Sequence, residues 1–208
     1  MVIVVISCYN KNIQWSKNLP IDKIVCYDHA TILDENKVLM NDKRYEWNQI
    51  PNRGSEASAY LKYIIDNYDN LPDQLVLLHD EQYSWHHKGD IIELVDKHLK
   101  ISDPIINLNH YRWNGTNMSF YDRTTKFGGW YYSFLQPYLG DLPNDFMNGK
   151  NGCAQFVIND TSLITQHPLK MYQDLYYGIC MNEDEWNGER KHGFEYFMEY
   201  TWHVIFSN

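Results

Sequence analysis

The run Leu75-Val76-Leu77-Leu78 breaks directly into His79-Asp80-Glu81. Four consecutive apolar residues leave no polar face for water, so they read as a strand buried on both sides, in a sheet covered by helices. The histidine and the two carboxylates then fall where that strand leaves the sheet, which is where open α/β sheets bind ligands. Carboxylates clustered there suit a hard divalent cation, which would in turn hold the phosphates of a nucleotide. On these residues alone, a solvated acidic loop is the alternative.

The rest of the chain repeats the strand and helix periods in alternation. Val2 to Ile6 reads as a buried first strand running into Ser7-Cys8-Tyr9-Asn10, and Ile21 to Tyr27, ending in Asp28, as a second. Between Pro51 and Pro72, Ala57, Tyr60, Leu61, Ile64, Ile65 and Tyr68 recur at helical spacing behind the turn Asn52-Arg53-Gly54-Ser55. Asp90 with Glu93 forms an acidic version of the capping box, opening a helix to about Leu99, and Ile105-Ile106 gives a further strand. Gly152 to Ile158 reads as a strand, residues 160 to 177 as helices, 182 to 192 as a charged loop and 194 to 206 as a closing helix. This rhythm predicts an α/β fold with a mostly parallel sheet flanked by helices. From Asn109 to Gly149 the chain is rich in Tyr, Trp, Asn and Gly, and reads as a ligand-facing excursion.

The 208 residues suffice for one domain with a continuous core, and no repeat or linker divides them. A formal charge of -9 argues against a broad nucleic-acid surface, so an anionic ligand must be captured locally. Cys8, Cys26, Cys153 and Cys180 are far apart, with neither a zinc knuckle nor a redox pair, and are expected to be reduced thiols of a cytoplasmic protein. Val2 to Ile6 falls short of the roughly 7–15 apolar residues of a signal peptide, and no stretch approaches the ~20 of a membrane span. Neither glycine-rich nucleotide fingerprint occurs, which removes support for dinucleotide enzymes and P-loop ATPases.

Other residues are chemical candidates. Glu199 and His203 form an i, i+4 pair on the last helix, able to converge on a metal or to hydrogen-bond as a partly buried histidine and its carboxylate. Arg53, before a long helix, is placed for a phosphate, although Glu56 brings negative charge into the same turn. Cys153 could pair with His167 or His203 as a nucleophile, but between glycine and alanine at a strand start it reads better as a small buried thiol.

Taken in chain order, Ser7-Cys8-Tyr9-Asn10, Ile50-Pro51-Asn52-Arg53-Gly54-Ser55-Glu56-Ala57, the strand end at Asp80, Asn151-Gly152-Cys153-Ala154-Gln155-Phe156 and Glu199-Tyr200-Thr201-Trp202-His203 resemble a small glycosyltransferase of the GT-A type. The pattern is most similar to domains of this kind from microbes and large DNA viruses, among them chlorella-virus domains that build capsid glycans. The resemblance implies a Rossmann-like GT-A fold that transfers sugar from a nucleotide sugar, most often UDP-linked, with Mn²⁺ or Mg²⁺. It implies Asp80 and His203 as metal ligands, with Glu81 beside Asp80, and Ser7, Cys8, Tyr9 and Asn10 around the nucleotide with Arg53 on its phosphates. The family's Asp-x-Asp motif is incomplete, since position 78 is Leu.

An inverting transfer needs a base, for which Asp184, Glu195 and Glu199 are candidates. The nucleotide part is expected over residues 1–108 and the acceptor and C-terminal part over 109–208, with the rings between Tyr111 and Tyr138, including Trp113 and Trp130, as the sugar platform. The apolar ending suits excision from a longer polypeptide and docking of a terminal helix equally. Two readings from other classes remain: a noncatalytic glycan- or nucleotide-binding module, and a metal-dependent phosphohydrolase.

Overall fold

A computed structural model describes residues 1–110, 126–141, 152–181 and 193–206. Among them the strands are β1 (Val2–Cys8), β2 (Lys23–Asp28), β3 (Tyr45–Gln49), β4 (Gln74–His79), β5 (Ile105–Asn107) and β6 (Phe156–Ile158). The helices are α1 (Asp34–Lys37), α2 (Ser55–Asn67), α3 (Ile91–His98), α4 (Lys126–Trp130), α5 (Gln136–Leu139), α6 (Ser162–Thr165), α7 (Leu169–Met181) and α8 (Phe194–Ile205), with a π-helical turn at Tyr131–Leu135 between α4 and α5. No described helix is long and apolar enough to cross a membrane.

The strands form one sheet in the order β3-β2-β1-β4-β6-β5. From β1 the chain steps outward to β2 and β3 in parallel pairs, then returns to lay β4 parallel to β1 on its other side. The direction of winding therefore reverses between β1 and β4, the switch point where such sheets open a crevice at the strand ends. The mostly parallel sheet has one departure: β6 is antiparallel to both β4 and β5. Because β5 ends at the same sheet edge as β4 and the chain re-enters from that edge, β6 has to run backwards.

Side-chain alternation explains the buried apolar run. Leu75 and Leu77 join Ile3, Val5 and Phe156 beneath α2, α7 and α8, whereas Val76 and Leu78 join Val4, Ile6, Ile91 and Val95 on the α3 face. Of the predicted stripe, Ala57, Tyr60, Leu61 and Ile64 on α2 are fully buried, whereas Ile65 and Tyr68, the latter just past the end of α2, are partly buried. The Asp90 side chain accepts the Ile92 N–H at 2.9 Å and caps α3 as its spacing predicts. The C-terminal helices close over α2, with the Trp202 ring 6.1 Å from that of Tyr60.

The expected sugar platform between Tyr111 and Tyr138 is corrected at Trp130, while residues 111–125 lie outside the described residues. Trp113 lies outside the described residues, and Trp130 is a core residue, 8 % exposed, packed on Phe127, Phe194 and Phe197 at centroid distances of 5.6, 5.0 and 5.9 Å. Its ring fills the space between α4 and α8 and has no face to offer a sugar. Tyr172 is likewise buried and donates its hydroxyl to the Ile164 carbonyl at 2.8 Å, tying α7 to α6. Tyr172→Phe should cost about 1 kcal/mol in urea unfolding, the usual net value of such a bond, and a neutral result would show it contributes nothing.

Candidate functional site

At the switch point polar contacts join the segments that leave β1 and β4, among them the Trp15 indole N–H to the Asp80 carbonyl at 3.3 Å. Beyond β4, Asp80 accepts the Tyr9 N–H on Oδ2 at 2.7 Å, so its carboxyl is held between the two strand ends. Burial pushes the Asp80 carboxyl up to about 6, against the opposing pull of the Tyr9 N–H, and Glu81 adds to the rise. Lys11 is the cation that reaches it, and Lys11 is already paired with Glu81 at 2.9 Å.

A second carboxyl lies on the helix side of this edge. Glu56, in the first turn of α2, is only 8 % exposed, and its Oε1 meets no hydrogen-bond partner among the described residues. Burial lifts its carboxyl well above the ordinary range, and Glu199, Glu195 and Asp80 act in the same sense. Tyr60, one turn further along α2, is fully buried with its hydroxyl also unpartnered among the described residues, and it feels Glu56, Asp80, Cys8 and Glu199. Negative charge on Asp80, Glu195 and Glu199 thus acts together on the buried Glu56 carboxyl, which favours a bound cation or a retained proton there.

Backbone strain gathers at the same edge. Asn10, Ser55 and Cys153 are the non-glycine residues with left-handed φ among those described, at 54°, 46° and 63°. They follow β1, open α2 and precede β6. Such conformations cost of order 1–3 kcal/mol each and concentrate at functional sites. By contrast, a depression of about 470 Å³ at the opposite end of the sheet is lined by Tyr68, Asp73, Asn159 and Asp160, whose acids are exposed, with Asp73 paired to the N-terminal ammonium.

The other expected residues fall variously. Ser7 Oγ donates to His29 Nε2 at 3.0 Å, while His29 Nδ1 donates to the Pro51 carbonyl at 3.1 Å, a clamp that binds β1 and β2 to the turn before α2. Tyr9 and Asn10 are exposed at the edge. Cys8 is a correction: it points into the α3 face of the core, its thiol bonded to the Ile6 carbonyl, and cannot wrap a nucleotide. Arg53 is exposed, and its Nη1 donates to the Cys180 carbonyl at 2.9 Å, which tethers the end of α7. Glu81 is held by Lys11. His203 sits half-buried one turn beyond Glu199.

Glu195 and Glu199 both raise the Glu56 carboxyl, whereas Asp184 lies outside the described residues. Burial, then Glu199 and Glu56, push the Cys153 thiol up to about 12, the reverse of an activated nucleophile. Glu56 and Tyr60 are the site residues that the sequence reading missed. Their signal was an acid and a hydroxyl at i, i+4 spacing on the buried stripe of a helix.

Residues 3–104 match the model of a family described as a protein of unknown function (DUF3431). The matched stretch contains Tyr9, Glu56, Tyr60 and Asp80 and stops before β5, leaving out Glu195 and Glu199. No curated protein and no solved structure matches the chain.

Proposed function

We propose that this chain is a metal-dependent glycosyltransferase of the GT-A type, moving a sugar from a UDP-linked donor to an acceptor hydroxyl. The observation that carries the reading is Asp80, fixed by the Tyr9 N–H across the β1–β4 switch point, with the buried Glu56, whose Oε1 has no hydrogen-bond partner among the described residues, close enough for its carboxyl to be raised by Asp80. The residues fit a hard divalent ion, because the orphaned Glu56 oxygen and the raised Asp80 carboxyl both gain from positive charge. Among the described residues no three His, Cys, Asp or Glu side chains form a protein-only ligand set, so the remaining ligands would be phosphate and water oxygens, the usual habit of magnesium.

When bound, the ion supplies electrostatic stabilisation of the departing diphosphate. The chain does the rest. The Tyr9 N–H orients Asp80 toward the crevice, and Glu195 and Glu199, one turn apart on α8, are the carboxylates available to take the acceptor's proton. Packing of α8 over α2 shields the region from water, which strengthens each of these interactions.

Thermal unfolding with nucleoside diphosphates, with and without Mn²⁺, tests the proposal. UDP with Mn²⁺ should raise the melting temperature, by the equivalent of about 2.7 kcal/mol at 100 times Kd, and neither should do so alone. UDP-sugar should then yield UDP slowly in water and faster with an acceptor. Binding without turnover would favour a noncatalytic module, release of phosphate from many nucleotides a phosphohydrolase, and no shift at all would remove the nucleotide reading.

A further inference from the structure

The segment that leaves β4 is fastened to the start of β6 by a chain of buried amides. Gln155, just before β6, is fully buried, and its Oε1 accepts the His79 N–H at 3.4 Å. Its Nε2 donates both to His87 Nδ1 at 3.0 Å and to Asn109 Oδ1 at 3.3 Å. Asn109 is fixed in turn, with its Nδ2 donating to Asn107 Oδ1 at 2.7 Å and to the Gln155 carbonyl at 3.2 Å. On the other side of the ring, His87 Nε2 lies 3.2 Å from the Gln82 carbonyl. A carbonyl only accepts, so Nε2 carries the proton and Nδ1 is the acceptor. His87 is 3 % exposed, so bulk water does not stand by to replace a lost partner.

A second proton on this imidazole would sit on Nδ1 and face the Gln155 N–H, donor against donor. Turning the Gln155 amide over would offer the ring an oxygen, but it would also set an N–H against the His79 N–H and an oxygen against Asn109 Oδ1. Turning Asn109 as well would forfeit both bonds that its Nδ2 donates. The charges around the ring are mixed. Asp90, at the cap of α3, and Glu81 favour the charged form, His110 opposes it, and His79 and His86 each meet it as a like charge. Burial outweighs the attraction and holds the His87 pKa below the ordinary value of about 6.5. The native state therefore takes up this proton later than the unfolded chain, so the contact's contribution is whole above about pH 6.5 and is lost as pH falls below it.

We infer that His87 and Gln155 form an acid-released latch, which pins the segment from Gln82 to Lys88 against β6 while the ring is neutral and loosens it when the ring is charged. The His110 N–H on the His86 carbonyl, at 2.9 Å, survives protonation, so the segment loosens rather than detaches. The latch governs the chain directly beyond Asp80 and Glu81, yet it does not depend on the glycosyltransferase reading.

Long-range ¹H–¹⁵N imidazole spectra of the wild type, taken from neutral to mildly acidic pH, test the latch. His87 should appear at neutral pH as the Nε2-protonated tautomer, and the side-chain amide signals of Gln155 should move in step with its titration. Over the same range, hydrogen exchange of Gln82 to Lys88, corrected for its intrinsic pH dependence, should quicken about tenfold, the effect of one buried bond lost, while α2 stays protected. His87→Gln, which can donate to the Gln82 carbonyl and accept from Gln155 without titrating, should abolish that step. An Nδ1-protonated ring, Gln155 signals indifferent to the His87 titration, or an exchange step that persists in His87→Gln would each overturn the inference. Should that variant fail to fold, the wild-type tautomer and the coupled titration decide the matter by themselves.

Discussion

Asp80→Asn should melt above the wild type at neutral pH while losing Mn²⁺-dependent UDP binding. Both effects have one cause, a carboxylate kept where water cannot solvate it well. Its folded pKa, about 6, exceeds the ordinary value of about 3.9, so between those values the native state holds a proton that the unfolded chain has released. The Asp80 contribution to stability is therefore greatest below about pH 4 and falls as pH rises toward 6. Two pH units set a ceiling of about 3 kcal/mol, which partial exposure of Asp80 and weakening of the Tyr9 hydrogen bond reduce to about 1–2 kcal/mol, or about 3–6 °C. An asparagine avoids this loss, so the gain should appear at pH 7.5 and vanish near pH 4. Loss of the charge opposite the cation should weaken UDP–Mn²⁺ binding by about 100-fold. A variant that binds normally, or is destabilised at both pH values, would show that Asp80 is a structural acid.

The sequence made one layer of this arrangement legible and hid another. Runs such as Val2 to Ile6 and Leu75 to Leu78 announce strands buried on both faces, and Asp90 announces a helix start, because burial and capping act over a few neighbouring residues. Edge strand β3 was missed because Tyr45-Glu46-Trp47-Asn48-Gln49 has one partner strand and mostly polar or half-buried positions. The reversal of β6 was also hidden, since strand direction depends on which edge the chain leaves and re-enters.

The same divide runs through the site. Asp80 was readable from its place at a strand end. Glu56 looked like a charge spoiling a phosphate site at Arg53, and only the packing of α8 and β4 around it turns it into a buried acid. Trp130 changed role for that reason too: it stands in polar sequence surroundings, and its burial is decided by Phe194 and Phe197 of α8, far along the chain.

Gly54→Ala should be the most damaging single-methyl change near the site, costing about 2–5 kcal/mol. Gly54 has φ of +68°, a conformation that costs an L residue about 1–2 kcal/mol. An added Cβ would also lie 2.4 Å from Ile179 Cγ2 and 3.2 Å from its Cδ1, on α7, and forcing a methyl into such packing costs about 1–3 kcal/mol. The two contributions separate in a double-mutant cycle, because Ile179→Ala removes the atoms that clash but leaves the backbone angle unchanged. Gly54→Ala should then cost only about 1–2 kcal/mol in the Ile179→Ala background. Equal costs in both backgrounds would mean that α7 yields freely and no close approach exists. The cycle also bears on the site, since Gly54 and Ser55 set the direction in which α2 delivers Glu56. If the Ile179→Ala background recovers stability and nucleotide binding recovers with it, the path of α7 over this turn holds Glu56 in place. Recovery of stability alone would assign that placement to the left-handed turn itself.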